Sequence, residues 1–133
     1  MRIRALRGMA LHSALLVASL LVSGETSAGD LTSAELKNEL VGHSIAWWED
    51  GGWRGGSLIL APDGSAEITI DNSGDNSVRQ GDKGRWALRN GELCTVWSEI
   101  RDGGEKCYSV RRGERGRFLT SGGNVFEIRD AGV

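Results

Sequence analysis

The segment from Trp47 to Arg54, WWEDGGWR, is the part of the sequence richest in groups that can hold another molecule. Exposed aromatic rings beside carboxylates stack on sugars or anchor a protein partner. If residues 44–48 form a strand, Trp47 and Trp48 point to opposite faces, because successive strand side chains alternate. We therefore predict a binding edge here; the alternative is that two of the three indoles belong to the core and the third is partly covered. The predicted edge consists of Trp47, Trp48, Glu49, Asp50, Trp53 and Arg54.

Groups suited to catalysis or metal binding are few in the rest of the chain. His43 is the one histidine left after removal of the N-terminal leader described below, so no Ser-His-acid set and no histidine zinc site can be assembled. The polar run 71–76, DNSGDN, offers oxygen ligands, but it lacks the terminal bidentate acid of a calcium loop and is typical of a polar turn. The sequence predicts no catalytic residue, no metal site and no cofactor.

The pair Asn90-Gly91 lies between two runs in which apolar and polar residues alternate. This pair readily adopts the positive φ angles of a two-residue hairpin turn, and the turn sets the register of the two strands. Both tryptophans of the hairpin then share one face, and the opposite face carries charged residues. The predicted register pairs Arg89 with Glu92 as a cross-strand ion pair, Leu88 with Leu93, Trp86 with Thr95 and Gly84 with Trp97.

The two cysteines indicate the register of the following strand pair if they are bonded to each other. Cys94 then faces Cys107, Trp97 faces Gly104, and residues 99–102 form a four-residue loop. The same parity places both sulfur atoms on the outer face. A disulfide across this loop contributes about 3 kcal/mol to stability, so we predict a structural staple and not a reactive centre.

Four residues of this region are predicted to face the interior of the domain: Trp86, Trp97, Lys106 and Tyr108. Lys106 is the unexpected member of this set. Either its stem extends out of the sheet so that the ammonium group reaches water, or the ammonium group meets an anionic ligand.

The first 28 residues have the layout of a secretory signal peptide. Arg2, Arg4 and Arg7 precede an apolar run from Met9 to Val22, and small residues end at Ala28. Residues 1–28 are therefore predicted to be removed, which leaves residues 29–133 as a single disulfide-stapled β domain in the periplasm or outside the cell. Without the leader the net charge is about −4, because three of the 16 basic and one of the 18 acidic residues leave with it. This balance predicts no nucleic-acid partner, and no stable membrane insertion is expected after cleavage.

The remaining pattern predicts one short helix and about eight short strands. Thr32 and Glu35 form a capping box, and Leu36 and Leu40 share the apolar face of the helix that follows. Tight turns such as Pro62-Asp63-Gly64 join strands with one polar face, while residues 71–83 are predicted to be a long loop. We predict an all-β fold, a small antiparallel up-and-down barrel whose closure removes exposed edges. A two-sheet β-sandwich is the alternative.

Several short motifs resemble a family of small exported bacterial proteins that is classified only as a domain of unknown function. They are G-x-W at Gly84, L-C-x-x-W at Leu93, K-C-Y at Lys106 and, earlier, the LAPDG segment from Leu60. The resemblance implies a lipocalin-like barrel and a bond between the two cysteines, and it lends no functional residue. The WWEDGGW segment has no counterpart in the family pattern. A weaker similarity of type is to periplasmic β-barrel inhibitors of proteases.

These observations predict a non-enzymatic exported binding module. Its partner is either a small apolar molecule inside the barrel or an envelope or secreted protein at the tryptophan-bearing edge. The alternatives are an inhibitor of a periplasmic or secreted hydrolase, and an envelope structural or stress protein with no ligand. A large interior cavity favours the first hypothesis, whereas a filled barrel with an ordered loop over residues 49–55 favours the inhibitor.

Overall fold

The computed structural model describes residues 29–72 and 80–130, so the predicted signal peptide lies outside the described residues. The described residues form nine antiparallel strands in one nearly closed barrel, with one short helix. The all-β barrel prediction is confirmed, and the strands belong to one sheet and not to two stacked sheets. The elements are α1 (Ser33–Leu40), β1 (Ser44–Glu49), β2 (Arg54–Leu60), β3 (Ser65–Asn72), β4 (Gln80–Arg89), β5 (Glu92–Trp97), β6 (Lys106–Tyr108), β7 (Val110–Arg112), β8 (Arg117–Thr120) and β9 (Asn124–Ile128).

The sheet order β6-β5-β4-β3-β2-β1-β9-β8-β7 shows how the barrel closes. Only Ser109 separates β6 from β7, so the two are halves of one strand that pairs first with β5 and then with β8. At this seam the Ser121 N–H donates to the carbonyl oxygen of Ser109 at 2.9 Å. The Leu31 N–H donates to the carbonyl oxygen of Val110 at 2.7 Å, and this contact covers the free edge of β7. Counted this way the barrel has the predicted eight strands.

The register predicted from the Asn90-Gly91 turn is confirmed over the whole β4–β5 hairpin, from the Arg89–Glu92 pair to the Gly84–Trp97 pair. Both turn residues have positive φ angles, 52° and 75°, as this turn requires. One detail of the prediction is wrong, because Arg89 donates two hydrogen bonds to the carboxylate of Glu105, one of them 2.9 Å long, and not to Glu92. The guanidinium fork can reach across β5 to a carboxylate that accepts two hydrogen bonds.

The disulfide and the β5–β6 register are also confirmed, since Cys94 faces Cys107 and the two sulfur atoms are bonded. Cys107 is exposed as expected, whereas Cys94 is buried. The predicted four-residue loop is wrong. Strand pairing stops at Thr95 and Lys106, and the chain between them continues through a 3₁₀ segment at Ile100–Gly103. A disulfide indicates a compartment outside the cytoplasm.

The segment 71–83 was predicted to be a loop, but β3 continues to Asn72 and β4 begins at Gln80. The strand signal is missing from the sequence because this end of β4 is polar, yet its backbone pairs with β3 from Ser65–Arg85 to Ile70–Gln80. Similarly, β2 begins at Arg54, inside the segment predicted to be a loop. Backbone hydrogen bonds do not require apolar side chains, so hydrophobic alternation underestimates such strand ends.

Helix α1 begins as predicted, at the capping box. Thr32 is the N-cap, its side chain accepts from the Glu35 N–H, and the Glu35 side chain accepts from the Thr32 N–H. Gly42 follows the helix with a φ of +81°, which glycine adopts without strain. Leu36 and Leu40 are fully buried and join the barrel core. The helix therefore closes one end of the barrel, next to the β4–β5 turn, where the Gly91 N–H donates to the Ser33 hydroxyl at 3.2 Å.

Candidate functional site

The end of the barrel opposite the helix, which we call the open end, is formed by the chain connections after β1, β5 and β8. A cavity of about 70 Å³ lies inside the barrel at this end. Most of the residues that line the cavity lie on strands that end or begin at the open end, and Arg101 and Gly122 lie in the connections between those strands. The lining consists of Trp47, Leu58, Ile68, Thr95, Trp97, Arg101, Lys106, Tyr108, Thr120, Gly122, Asn124 and Phe126.

Two basic side chains, Arg101 and Lys106, belong to this lining, and none of the twelve described lining residues carries a carboxylate. Both side chains are exposed. Some arginines of the described chain pair with acids, as Arg54 does with Glu49 at 2.7 Å and Arg112 does with Glu39 at 2.6 Å. Others in the described chain, Arg85, Arg111 and Arg115, have no such ion pair. Within residues 29–72 and 80–130, neither Arg101 nor Lys106 has such an ion pair. The cavity lining therefore holds two cations without an ion-pair partner in the described chain, while carboxylates such as Asp50 and Asp102 lie in the surrounding connections of the open end.

The backbone at Arg101 has an unusual conformation. Arg101 and Asp102 have φ angles of 55° and 53°, in the left-handed region that side chains other than glycine rarely adopt. The strain is compensated by local hydrogen bonds, including one from the Gly104 N–H to the carbonyl oxygen of Arg101 at 2.9 Å. Strain of this kind persists only where the surrounding structure holds it, and it is concentrated at binding sites.

Asp82 on β4 holds the start of the Arg101 loop. Its Oδ2 accepts from the Glu99 N–H at 2.9 Å and from the Ile100 N–H at 3.0 Å, and its Oδ1 accepts from the Lys83 N–H at 2.8 Å. Burial by itself raises the pKa of Asp82, but these backbone donors together outweigh it and the pKa is lowered. A charged Asp82 thus positions the loop at neutral pH.

One hydrogen bond links the open end to the interior of the barrel. Nη2 of Arg101 donates to Oγ1 of Thr95 at 3.3 Å. Thr95 is the one buried polar residue of the described core. Burial raises the pKa of Tyr108 to about 12, although the positive charge of Arg101 and the nearby Thr95 hydroxyl act in the opposite direction.

Lys106 pairs with Thr95 across the strands, so its side chain starts on the inner face as predicted. Its side chain is nevertheless exposed, and Nζ lies 3.3 Å from the place that a Cβ atom on Gly122 would occupy. The stem therefore runs along the cavity wall and the ammonium group reaches the rim. The exposed side chain agrees with the first expectation for Lys106, in which the ammonium group reaches water.

The predicted binding edge is divided between the two faces of β1. Trp47 is in the core, lines the cavity and donates its indole N–H to the carbonyl oxygen of Thr69 at 3.1 Å. Trp48 lies on the outer face, where the guanidinium of Arg117 is 5.1 Å from its ring centroid. Trp53 is 64% exposed. One indole is therefore in the core, not two.

The charged residues of the same edge form a short turn at the open end. Glu49 pairs with Arg54 at 2.7 Å, and the Gly52 N–H donates to the carbonyl oxygen of Glu49 at 3.0 Å. The Asp50 N–H donates to the carbonyl oxygen of Gly123, which connects this turn to the β8–β9 turn. The turn that carries Trp53 thus lies at the same end of the barrel as the cavity.

Among the predicted interior residues, Trp97, Lys106 and Tyr108 line the cavity. Trp86 is half-buried near the helix end, where its indole N–H donates to the carbonyl oxygen of Ala61 at 2.7 Å. Sequence reasoning missed Arg101, which was placed in a plain loop. Its participation follows from a left-handed backbone that no sequence signal indicates.

Thr120 and Asn124 were missed as well. They flank the tight β8–β9 turn, and the Asn124 N–H donates to the Thr120 hydroxyl at 3.0 Å. The available signal was parity, because Thr120 and Asn124 lie two residues from Phe118 and Phe126, which are both buried, and therefore share their inward face.

The described residues hold one group of potential metal ligands, formed by Cys94, Glu105 and Cys107. Both sulfur atoms are bonded to each other, so the group offers no thiolate. The polar run 71–76 extends beyond the described residues.

Comparison with family models, with curated proteins and with solved structures finds no match to this chain. No helix in the described part of the chain is long and apolar enough to cross a membrane.

Proposed function

We propose that this chain is a non-enzymatic binding module of the periplasm or the extracellular space, and that its site is the open end of the barrel. The observation that carries the proposal is the presence of Arg101 and Lys106 over a cavity whose described lining contains no carboxylate. Two cations without ion-pair partners beside a low-dielectric wall attract an anionic group. The module therefore binds a negatively charged group of its ligand or partner.

The size of the cavity limits what can enter. A volume of about 70 Å³ is small beside the roughly 300–1,000 Å³ of pockets that enclose drug-sized ligands. It is also about half of an engineered apolar cavity of roughly 150 Å³ that admits benzene. The cavity therefore suits one functional group of a ligand, whose remainder stays outside the open end, better than a whole apolar molecule inside the barrel.

Arg101 is positioned before any ligand arrives. The hydrogen bonds from Glu99 and Ile100 to Asp82 hold the loop, and Thr95 accepts a hydrogen bond from the guanidinium. A pre-positioned group loses less conformational entropy on binding than a mobile one. This supports a binding role for Arg101 over a role as a solvating surface charge.

The test is thermal unfolding with and without small anions, because a ligand that binds only the folded state raises its melting temperature. An Arg101→Gln, Lys106→Gln variant removes both cations of the open end. The matched control is Arg85→Gln, Arg111→Gln, which removes two exposed cations from other positions. We expect the anions to stabilise the wild type and the control equally, and the open-end variant much less. Equal stabilisation of all three proteins would contradict the proposal.

A second candidate function, inhibition of a periplasmic or secreted hydrolase, is supported by the turn after β1. Trp53 is 64% exposed on a tight turn at the open end, and the Glu49–Arg54 ion pair closes that turn. An aromatic anchor on an ordered turn is typical of residues that dominate protein interfaces.

The inhibitor hypothesis is tested by measuring residual activity of a panel of secreted proteases and glycosidases in the presence of the protein. We expect Trp53→Ala to remove any inhibition and Trp48→Ala, on the outer face, to leave it unchanged. Inhibition that survives Trp53→Ala would exclude this turn as the inhibitory element.

A further inference from the structure

We infer that the anionic group bound at the open end is a carboxylate on a short apolar stem. This inference rests on the proposed function and specifies its ligand class. It follows from the division of the cavity into a charged rim and an aromatic floor.

The rim supplies donors that match a carboxylate. Arg101 presents a planar fork whose parallel N–H groups fit the two oxygen atoms of one carboxylate, and Lys106 adds a mobile point charge. One Arg101 donor is used by Thr95 at 3.3 Å, which leaves other N–H groups of the guanidinium for a ligand. A carboxylate carries a single negative charge, so the Arg101 fork with Lys106 as one supporting charge is sufficient to bind it.

The floor is largely aromatic, and its buried polar residue, Thr95, already accepts a hydrogen bond from Arg101. Trp47, Trp97 and Phe126 are each buried, with exposures of 7%, 4% and 3%, and all three line the cavity. The indole N–H of Trp47 already donates to the carbonyl oxygen of Thr69, so it is not available to a ligand oxygen. The deeper part of the cavity therefore favours methylene groups over a polar group.

This floor separates carboxylates from tetrahedral oxyanions. A phosphate or sulfate carries oxygen atoms in every direction, and those that face an aromatic wall lose water without gaining a donor. A carboxylate carries both oxygen atoms on one side and its stem on the other. A cavity of about 70 Å³, roughly the volume of two waters in the liquid, admits the short carbon stem while the carboxylate head group stays at the rim.

Such a carboxylate has two sources, a free short-chain acid or the C-terminus of a protein chain. In the second case the last side chain occupies the floor, and the preceding residues leave through the open end, close to the turn that carries Trp53. Both sources share the same chemistry at Arg101 and Lys106.

The experiment is isothermal calorimetry of the mature protein, with butanoate, butanamide and inorganic phosphate as separate probes. We expect butanoate to bind at least about tenfold more tightly than butanamide, because the amide lacks the charge that strengthens hydrogen bonds to Arg101. Phosphate should bind at least about tenfold more weakly than butanoate. Arg101→Lys, which keeps the charge and removes the fork, should weaken butanoate about tenfold, whereas Arg85→Lys should not.

The outcomes separate this inference from the proposal on which it rests. Phosphate binding that equals or exceeds butanoate binding, and that is lost in the Arg101→Gln, Lys106→Gln variant, overturns the carboxylate inference and leaves an anion-binding module. Absence of binding by every probe overturns both. Butanoate binding that persists unchanged in Arg101→Lys also overturns the inference.

A further pair of probes distinguishes the sources. Acetyl-Ala-Val with a free C-terminal carboxylate is compared with the same dipeptide carrying a C-terminal amide. If the free acid binds at least about tenfold more tightly than butanoate, through the added contacts of the peptide chain, the source is a chain terminus. If butanoate binds and neither dipeptide does, the source is a small acid.

Discussion

The substitution Gly84→Ala is expected to destabilise the barrel far more than a glycine-to-alanine change in a strand normally does. Gly84 lies in β4 opposite Trp97, and the added Cβ atom would lie 2.0 Å from the carbonyl oxygen of Val96 and 2.9 Å from Cα of Trp97. Both atoms belong to the backbone of β5. No side-chain rotation can relieve these contacts, so the two strands have to separate.

The magnitude follows from the depth of that contact. Overpacking of a well-packed core typically costs about 1–3 kcal/mol, and the carbonyl oxygen here would be more than 1 Å inside normal contact distance. We therefore expect a loss of about 3 kcal/mol or more in the free energy of unfolding. For a domain of this size such a loss lowers the melting temperature by about 10–25 °C.

The matched control is Gly81→Ala on the same strand, whose added Cβ would have an ordinary 3.6 Å contact with the carbonyl oxygen of Ile68. That change should be neutral or stabilise by about 0.5 kcal/mol, because alanine has less freedom in the unfolded chain. Urea unfolding followed by tryptophan fluorescence measures both variants. A Gly84→Ala loss within 0.5 kcal/mol of the control would refute the close approach of β4 and β5.

Three further predictions address the staple, the floor of the cavity and its tyrosine. Replacing Cys94 and Cys107 together by serine should lower the free energy of unfolding by about 3 kcal/mol, with the far-ultraviolet circular dichroism retained; an unchanged denaturation midpoint would contradict a structural staple. Trp97→Ala should cost about 3–5 kcal/mol as a core deletion, and a loss below about 1 kcal/mol would place Trp97 at the surface. The chain has one tyrosine, so tyrosinate absorbance reports Tyr108 alone and should titrate near 12. Because its raised pKa favours the neutral form, the folded protein should lose about 2–3 kcal/mol as the pH rises from 10 to 12, and Tyr108→Phe should lack this component; a midpoint near 10 would mean an exposed hydroxyl.

The central hairpin could be predicted from the sequence because two independent constraints agree there. Asn90-Gly91 determines which residues face each other, and a one-residue slip would expose both Trp86 and Trp97 to water. The bond between Cys94 and Cys107 then extends the register by one strand. Local turn chemistry and side-chain parity are both properties of the sequence, so this part of the fold needed no tertiary information.

The seam of the barrel and the open end could not be predicted in the same way. Ser109 has no special conformational signal, yet it is the point at which one strand changes partner from β5 to β8. Arg101 has a left-handed backbone in a loop whose start is held by hydrogen bonds to Asp82 on β4. Both features depend on residues distant in sequence. The placement of Trp47 in the cavity floor and of Trp48 on the outer face depends in turn on which side of β1 becomes the interior of the barrel.

The central claim is that an anionic group binds at the open end between Arg101 and Lys106. The most direct test is a nitrogen–proton correlation spectrum of the mature protein, recorded during separate titrations with butanoate and phosphate and read at the five tryptophan indole signals. We expect saturable shifts of the Trp47 and Trp97 indole signals with at least one anion, while the signal of Trp86 near the helix end stays in place. Shifts confined to Trp48 and Trp53, or no shift with either anion, would contradict it.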